Sequence, residues 1–359
     1  MSLSIAIVGL PNVGKSTLFN ALTRSQVLAA NYPFATIEPN VGIVPLPDDR
    51  LDRLADLYKP EKILPATVTF VDIAGIVRGA STGEGMGNKF LANIRECSAI
   101  VQVVRAFEGT DVQHVENKID PLSDIETINT ELILADLQTV DNRLGKLTAE
   151  IKGDPKLSDL RDVLEVVKSG LDEGKLAGSF LSALQIEQIR DLQLLTTKPF
   201  IFAFNLAEDQ LSDKELQGRL EKIVHPAPVV FLSAKIESEL IDLPAEEAAD
   251  LLGELGQERS GLQQLATAGF QALGLQTYLT AGPKEVRAWT IHQGDTAPQA
   301  AGVIHTDFEK GFIKAQIIAY DDLIAAGSEA AAKAAGKLRL EGKDYVMRDG
   351  DVVEFRFNV

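Results

Sequence analysis

Residues 9–16 read G-L-P-N-V-G-K-S, which matches the phosphate-loop pattern G-x-x-x-x-G-K-[ST] at every fixed position. The loop lies between an apolar run, Ile5–Val8, and a helix-like stretch that begins at Thr17. Gly9 and Gly14 would let successive backbone N–H groups turn towards phosphate oxygens, and the positive end of the helix dipole adds to the attraction. Strand, loop and helix in this order predict a site for a nucleoside triphosphate.

The side chains of this loop have distinct predicted roles. Lys15 would place its charge on the β- and γ-phosphates and take part in catalysis, while the Ser16 hydroxyl would bind Mg²⁺. The remaining contacts with the phosphates are predicted from Gly9, Asn12, Val13, Gly14 and Thr17.

Two later segments are placed to sense the γ-phosphate. Thr36 lies in a loop beyond the first helix, and its hydroxyl would complete the Mg²⁺ ligands. Asp72 ends an apolar strand and opens a D-x-x-G element, so its carboxylate would lie near Mg²⁺ and the Gly75 amide near the γ-phosphate. Loss of the γ-phosphate would release both loops, which is an order–disorder switch.

The residue after the D-x-x-G element is Ile76, where a glutamine would orient the attacking water. An apolar side chain cannot hold that water, so we expect slow intrinsic hydrolysis or another catalytic group. His114 is our candidate, and the alternative is a surface histidine without a role. Assistance by K⁺ bound through Asn12 is a further alternative.

Residues 117–120 spell N-K-x-D, the guanine-reading motif of GTPases. No apolar strand precedes this segment and Pro121 follows it, so nothing delivers it to a base pocket. We therefore interpret this match as a coincidence.

The expected position for base recognition follows the strand Phe200–Phe204, where residues 205–208 read N-L-A-E. Asn205 is retained, whereas Leu206 replaces the lysine that would pack on the base. Glu208 replaces the aspartate that would accept both guanine N–H groups. Because an unpaired polar edge costs about 1–3 kcal/mol, we expect selectivity for guanine to be lost. Ser233 and Ala234, after the next strand, complete the predicted nucleotide site.

Short apolar segments alternate with helical patterns, which predicts a doubly wound α/β sheet with the site at the carboxyl ends of its strands. These segments are Ile5–Val8, Val68–Val71, Ile100–Val104, Phe200–Phe204 and Val229–Leu232.

The stretch between residues 104 and 200 is longer than a βα crossover needs. Apolar residues recur there at helical spacing over 133–151 and again over 160–171, with a helix stop at 153–156. This pattern predicts an α-helical hairpin inserted over residues 130–195. Two ordinary amphipathic helices packed on the sheet are the alternative.

The C-terminal part changes in character. After Ser233 the pattern is mainly helical to about Tyr278, and strands follow, which predicts a small α+β domain. The predicted strands are Val286–Ile291, Phe312–Ile318 and the region from Tyr345 to Val359, with a helix at Asp321–Gly327. The alanine-rich residues 330–335 are either a loop or a weakly packed helix.

The bulk properties restrict the class of protein. The length of 359 residues favours two or three domains, and the formal charge of −17 argues against broad attraction to DNA, RNA or anionic lipid. No apolar run approaches the ~20 residues that cross a bilayer, and the first strand leaves no room for a signal peptide. The single cysteine, Cys97, cannot form an internal disulfide, which fits a reducing, cytoplasmic setting. We expect a monomer that binds neither DNA nor membrane.

Four segments carry a resemblance to a known family, namely residues 31–42, 72–91, 205–208 and 294–305. Through nearly its whole length the chain resembles the Obg-like ATPase family (YchF type), which is related to the translation-factor P-loop GTPases. The resemblance implies a GTPase-like domain with a coiled-coil insertion and a C-terminal TGS domain, a β-grasp module. The corresponding boundaries are 1–129 with 196–277, then 130–195, then 278–359.

The resemblance also implies ATP preferred over GTP, Mg²⁺-dependent hydrolysis of ATP, and association with the ribosome, either its large subunit or the whole particle. From the residues alone, two other functions stay open. One is an ATP-binding scaffold with little hydrolysis, which Ile76 favours. The other is a metabolic phosphotransferase, although the helical insertion has few arginines for a lid.

Overall fold

The computed structural model describes residues 3–28, 40–73, 79, 86–107 and 119–358. The chain divides into two compact units. The first contains Met1–Leu28, Thr36–Ile43 and Thr69–Gly269, and the second contains Ala29–Ala35, Val44–Val68 and Phe270–Val359.

The strands, in chain order, are β1 (Ser4–Val8), β2 (Val41–Pro45), β3 (Lys62–Leu64), β4 (Thr67–Asp72), β5 (Ala99–Arg105), β6 (Phe200–Asn205), β7 (Val229–Leu232), β8 (Leu275–Ala281), β9 (Glu285–His292), β10 (Phe312–Ala319), β11 (Arg339–Glu341) and β12 (Asp351–Phe357).

The helices are α1 (Lys15–Leu28), α2 (Asp49–Tyr58), α3 (Met86–Glu96), α4 (Pro121–Glu150), α5 (Ser158–Asp172), α6 (Ala183–Gln188), α7 (Lys214–Val224), α8 (Ala234–Leu240), α9 (Ala245–Glu254), α10 (Gly261–Ala272), α11 (Ala297–Ile304), α12 (Thr306–Lys310), α13 (Tyr320–Ala326) and α14 (Glu329–Ala334). Among the described residues, no helix is both long enough and apolar enough to cross a bilayer.

The first unit is built around a six-stranded sheet with the order β2-β4-β1-β5-β6-β7. β1 pairs in parallel with β4 and β5, and the parallel ladder continues through β6 to β7. β1, β5 and β6 are buried along their whole length, as expected for a parallel sheet covered on both faces. The predicted doubly wound α/β fold and its five apolar strands are confirmed, and their carboxyl ends meet at one edge.

The predicted helical hairpin is present as α4 and α5. Its own apolar core contains Val140 and Leu147 from α4 together with Leu164 and Val167 from α5. The chain breaks between the two helices at residues 153–156, as the sequence predicts. Because the two helices bury their apolar stripes against each other, the structure favours the hairpin over two helices packed separately on the sheet.

Helix α4 starts earlier than the predicted insertion. It begins at Pro121, and the Asp120 carboxylate caps it by accepting a hydrogen bond from the Ser123 N–H at 3.3 Å. Proline at the first position and a capping aspartate are typical helix-start signals. In the part of the chain that the structure describes, Asp120 of the N-K-x-D segment is therefore a helix cap, which agrees with the interpretation of that segment as a coincidence.

The second unit contains a six-stranded sheet with the order β11-β10-β12-β8-β9-β3. The predicted C-terminal strands correspond to β9, β10 and β12, and the alanine-rich segment forms a helix, α14, which Ser328 caps. The core of this unit includes Tyr278, Ile317 and Phe355. This mixture of strands and helices agrees with the predicted small α+β domain.

One predicted boundary in this region is wrong. The sequence pattern predicts mainly helix to about Tyr278, but α10 ends at Ala272 and Tyr278 lies inside β8. Gly274 adopts a φ of +63°, which stops the helix, and the β-branched and aromatic residues that follow favour a strand. Tyr278 stacks on Trp289, and its hydroxyl donates to the Ala300 carbonyl at 2.9 Å.

Residues 44–68 belong to the second unit, whereas the predicted boundaries place them in the nucleotide-binding domain. β3 pairs in parallel with β9, with Lys62 opposite Glu285. Arg50, at the start of α2, donates hydrogen bonds to the carboxylates of Asp48 and Asp349. The second sheet is therefore completed by a segment from early in the chain.

Candidate functional site

A cleft of about 1040 Å³ lies at the carboxyl edge of the first sheet. The phosphate loop, the loop after β6 and the start of α8 line this cleft. We call the part lined by residues 10–12 and 14–17, together with Asp72, which pairs with Lys15, the phosphate end. We call the part lined by residues 205–208 and 233–235 the base end. The predicted site residues that line the cleft are Asn12, Gly14, Lys15, Ser16, Thr17, Asn205, Leu206, Glu208, Ser233 and Ala234.

The backbone of the phosphate loop explains its two glycines. Gly14 has a φ of +92°, and a Cβ atom there would lie 2.2 Å from the Asn205 amide nitrogen. A Cβ atom on Gly9 would lie 2.9 Å from the Val103 carbonyl oxygen. Neither position accepts a side chain, because backbone or buried polar atoms occupy the space. The close approach of Gly9 to β5 thus fixes where the loop leaves the sheet.

Asn205 connects the two ends of the cleft. Its side chain is buried, donates to the Val13 carbonyl at 2.9 Å and accepts from the Ala234 N–H at 2.9 Å. Both hydrogen bonds go to backbone groups of loops that line the cleft or support it. Asn205 therefore links the phosphate loop to the loop after β7. Val13 is buried and does not itself line the cleft.

Lys15 and Asp72 form an ion pair at the phosphate end. The Lys15 Nζ lies 2.5 Å from the Asp72 Oδ1, and the lysine is almost fully buried. α1 begins at Lys15, so Ser16 follows directly at the N-terminus of the helix. A hydroxyl and a carboxylate are the hard oxygen ligands that Mg²⁺ prefers, and this cation usually takes only one or two protein oxygens beside the phosphates. The residues at this end therefore fit Mg²⁺.

The base end has a different character. Leu206 is buried, whereas Glu208 is exposed and opens a short 3₁₀ turn. The Lys235 Nζ lies 3.9 Å from a Glu208 carboxylate oxygen and 3.8 Å from one of Glu239. The base end therefore has an exposed acidic rim, formed by Glu208 and Glu239 with Lys235 between them, above the buried Leu206.

Helix α8, which begins at Ala234, is fixed by a contact with the start of α10. Glu237 on α8 is buried and accepts hydrogen bonds from the N–H groups of Gly261 at 2.6 Å and Leu262 at 3.1 Å. Burial raises the pKa of Glu237, and these two backbone donors oppose that shift. The contact caps α10 and fixes the position of α8 beside the cleft.

Sequence reasoning did not identify Phe107, which lines the cleft just beyond β5. The Arg105 guanidinium lies 4.4 Å from the centre of the Phe107 ring, and its Nε donates to the Phe107 carbonyl at 3.2 Å. The available signal was its position after a buried strand, at the same sheet edge as Asp72 and Asn205.

Three predicted residues, Thr36, Gly75 and His114, lie outside the described residues, as do Asn117 and Lys118. Their assigned roles stay predictions. Within the ranges that the structure does describe, no group of three or more His, Cys, Asp or Glu side chains is arranged to hold a metal ion.

Two family models match the chain. Residues 4–140 match MMR_HSR1, described as a 50S ribosome-binding GTPase, and residues 275–358 match YchF-GTPase_C, described as a protein of unknown function (DUF933).

Curated relatives cover the chain from end to end. It is 53% identical over 366 residues to the ribosome-binding ATPase YchF of Haemophilus influenzae, with 100% of both chains covered. The protein of the same name from Bacillus subtilis is 50% identical over 366 residues, again with 100% of both chains covered. The Obg-like ATPase 1 of Gallus gallus is 45% identical over 368 residues, covering 99% of this chain and 93% of that protein.

Two solved structures share the fold of the chain. The YchF GTPase of Schizosaccharomyces pombe superimposes with a TM-score of 0.88 at 39% identity, covering 99% of this chain and 97% of that one. A GTP-binding protein from Pyrococcus horikoshii, with a TM-score of 0.63 at 22% identity over 99% of this chain and 100% of that one, shares the fold. The chain belongs to the YchF family of Obg-like ATPases, within the P-loop GTPase superfamily.

Proposed function

We propose that the chain is a Mg²⁺-dependent hydrolase that prefers ATP over GTP and acts as a nucleotide-controlled switch on the ribosome. The observation that carries this proposal is the cleft in which a complete phosphate loop, the Lys15–Asp72 pair and the altered base-reading segment 205–208 come together.

The phosphate end supports binding of a triphosphate with Mg²⁺. Lys15 supplies a buried positive charge, and α1 begins at the same residue, so backbone N–H groups and the helix dipole face the same anion. Ser16 and Asp72 would hold Mg²⁺, with Thr36 as a further proposed ligand. When bound, this cation neutralises charge that develops on the transferred phosphoryl group.

The base end supports a preference for adenine. Guanine recognition needs a carboxylate that accepts two N–H groups side by side, and such a fork tolerates little displacement. Glu208 is one methylene longer than the aspartate of the guanine-reading motif, and its carboxylate is exposed beside Lys235. Leu206 is buried, so no lysine stem covers the base from this position.

The hydrolytic step is proposed to be slow. Ile76 cannot orient water, so we assign this role to His114 and the contact with the γ-phosphate to the Gly75 amide. A K⁺ ion held through Asn12 is the alternative source of catalytic charge. If neither group acts, the chain is an ATP-binding scaffold. This is the second candidate function, and Ile76 favours it because an apolar side chain cannot orient water.

The ribosome is proposed as the partner because the relatives from H. influenzae and B. subtilis are named ribosome-binding ATPases. The chain has a net charge of −17, so contact with RNA would have to use a local surface rather than overall attraction. We further propose a monomer that works in the cytoplasm on the large subunit or the whole ribosome.

The decisive experiment combines equilibrium titration of ATP and GTP with steady-state turnover, each measured with Mg²⁺ and with or without purified ribosomes. We expect tighter binding of ATP, slow turnover by the protein alone, and faster turnover with ribosomes. Tighter binding of GTP would refute the assigned base preference. Binding of ATP without any turnover would leave the ATP-binding scaffold as the function.

A matched pair of variants tests the catalytic assignment. His114→Ala should lower ATP turnover, while His225→Ala, which changes an exposed histidine that does not line the cleft, should not. Equal turnover for His114→Ala and the parent chain would remove His114 from the mechanism.

A further inference from the structure

The second unit contains a cleft of its own, with a volume of about 720 Å³. This volume falls within the range of roughly 300–1,000 Å³ that is usual for ligand clefts. The residues that line it, among them Tyr58, Ala281 and Phe355, all belong to the second unit, and none of them lines the nucleotide cleft. We call it the sheet cleft.

The sheet cleft lies where two neighbouring strands, β8 and β12, stop pairing. Their parallel register contains one pair, Val352 opposite Leu279. β8 continues to Ala281 and β12 continues to Phe357, without a further registered pair between them. On its other side, β12 pairs with β10 along its whole length. The second half of β12 therefore presents a strand edge towards the cleft.

Side chains from both faces of the second sheet line this cleft. Phe308 packs against the core that contains Phe355 and Ile317. Ile318 follows Ile317 on β10 and points to the opposite face, because successive residues of a strand alternate between the two faces. Both Phe308 and Ile318 line the cleft. The cleft therefore opens between β12 and the end of β8 rather than on one face of the sheet.

The charged residues of the sheet cleft are mostly acidic. Three carboxylates line it, those of Glu285, Glu329 and Glu354, against one ammonium group, that of Lys284. Glu354 forms an ion pair with Arg356 at 3.0 Å. In the part of the chain that the structure describes, neither Glu285 nor Glu329 forms an ion pair. These two carboxylates are therefore available to a cation that enters the cleft.

Glu329 also acts on a polar group from the other side of the cleft lining. Burial, followed by the negative charge of Glu329, raises the pKa of Tyr58. Tyr58 ends α2, whereas Glu329 begins α14, so two separate helices bring these side chains together. A phenolic oxygen beside a carboxylate is a pair of acceptors to which an ammonium or guanidinium group would donate.

We propose that the sheet cleft binds an extended, basic segment of another protein, which adds to the edge of β12 as a strand. A strand edge offers backbone N–H and C=O groups to a second chain, and pockets beside it select alternate side chains. Lysine or arginine side chains of the segment pair with Glu285 and Glu329, and its apolar side chains contact Phe308 and Ile318. This function is additional to nucleotide hydrolysis and does not depend on it.

Fluorescence anisotropy of the full chain with a labelled synthetic peptide of alternating lysine and valine tests the proposal. The same peptide with glutamate in place of lysine should bind about tenfold more weakly or worse, because the cleft repels it. Two further peptides carry N-methyl groups, one on its valines and one on its lysines. At least one of them should lose binding about tenfold, because every second residue of a strand donates to the same neighbour. Equal binding of all four peptides would overturn the proposal.

Charge reversal in the protein supplies the second test. Glu285→Lys combined with Glu329→Lys should weaken binding of the lysine–valine peptide about tenfold or more. The control is Asp344→Lys, a matched reversal at an exposed position of the second unit that does not line the cleft, and it should bind as the parent chain does. If the double lysine variant does not fold, Glu285→Gln combined with Glu329→Gln decides. Parent-like binding by the variant that decides would overturn the proposal.

Hydrogen exchange locates the bound peptide. With the lysine–valine peptide at saturation, amides within residues 353–357 should gain protection, whereas those of β11, the outer strand of the same sheet, should not. Protection at β11 alone would overturn the proposal. Dimerisation of the chain that protects residues 353–357 and excludes the peptide would assign the cleft to a second copy instead. Tighter binding of a single-stranded RNA oligonucleotide than of the peptide would also overturn it.

These outcomes are distinct from those that test the proposed function. A chain that never hydrolyses ATP would refute the proposed function and leave the peptide measurements unaffected. A chain that hydrolyses ATP but ignores the lysine–valine peptide would refute this proposal alone.

Discussion

The two ends of the cleft differ in how tightly their residues are packed. At the phosphate end, Gly9 and Gly14 leave no room for a side chain, and Lys15 is buried against Asp72. At the base end, Glu208 and Lys235 are exposed and lie 3.9 Å apart. The phosphate end thus keeps the geometry expected of any P-loop protein, whereas the base end departs from the guanine-reading pattern.

The two ends should therefore differ in how easily substitution changes the choice of nucleotide. The backbone of a phosphate loop cannot be altered without refolding the loop, so we expect the binding of both nucleotides to depend on it equally. Side chains on an exposed rim can be exchanged at small cost, so selectivity between bases should depend on them. Asn205 is the exception, because it supports both ends at once.

Lys15→Ala should have the largest effect. Removing the buried charge should weaken the binding of ATP and of GTP by roughly 100-fold each, since charge-assisted contacts that lose a partner cost about 2–5 kcal/mol. Calorimetric titration with both nucleotides checks this, with Lys146→Ala, an exposed lysine on α4, as the control. A change in the ratio of the two affinities would contradict the separation of the two ends.

Asn205→Ala should come next and should affect both ends. The Val13 carbonyl and the Ala234 N–H would each lose a buried partner, at about 1–3 kcal/mol per group. We expect weaker binding of both nucleotides, by about tenfold, and a Tm lower by several degrees. Asn20→Ala, at an exposed position on α1, is the matched control. An intact Tm with normal affinity would show that this link is dispensable.

Leu206→Lys combined with Glu208→Asp should change the base end alone. This double substitution restores the N-K-x-D pattern after β6, and the ratio of GTP to ATP affinity should rise by about tenfold, as expected for one restored bidentate contact. Competition between the two nucleotides measures the ratio directly. Glu239→Asp, another carboxylate that lines the cleft, controls for nonspecific effects of shortening. Equal changes for both nucleotides would count against base reading by this segment.

Asp120→Ala should have the smallest effect. It removes the cap of α4, which costs about 1 kcal/mol and lowers Tm by a few degrees, and it should leave GTP binding unchanged. Thermal unfolding and GTP titration check the two parts. Loss of GTP binding would mean that residues 117–120 read the base after all.

Much of the fold was accessible from the sequence because the signals are local. A phosphate loop has fixed spacing, buried parallel strands are continuous apolar runs, and the hairpin repeats apolar residues at helical spacing. The prediction is wrong at Tyr278, because the turn at Gly274 ends the helix and a strand begins at Leu275.

The remaining features depend on contacts between distant segments. Three features depend on elements that no short sequence pattern connects. They are the hydrogen bonds of Asn205 to two loops, the position of Phe107 at the cleft, and the contact of Glu131 with Gly79. β3 is only three residues long and has two exposed residues, so its pairing with β9 leaves no periodic signal. Packing of this kind becomes visible only in the structure.

The pairing of β3 with β9 determines when the second sheet can form during synthesis of the chain. The second sheet combines β3, at residues 62–64, with strands from residues 275–357, so it cannot be completed until the chain has been synthesised through β12. A fragment that starts at β8 would leave the free edge of β9 open to other chains and would lack α2. An expression plasmid for this unit should therefore splice residues 44–68 to 270–359 through a short linker.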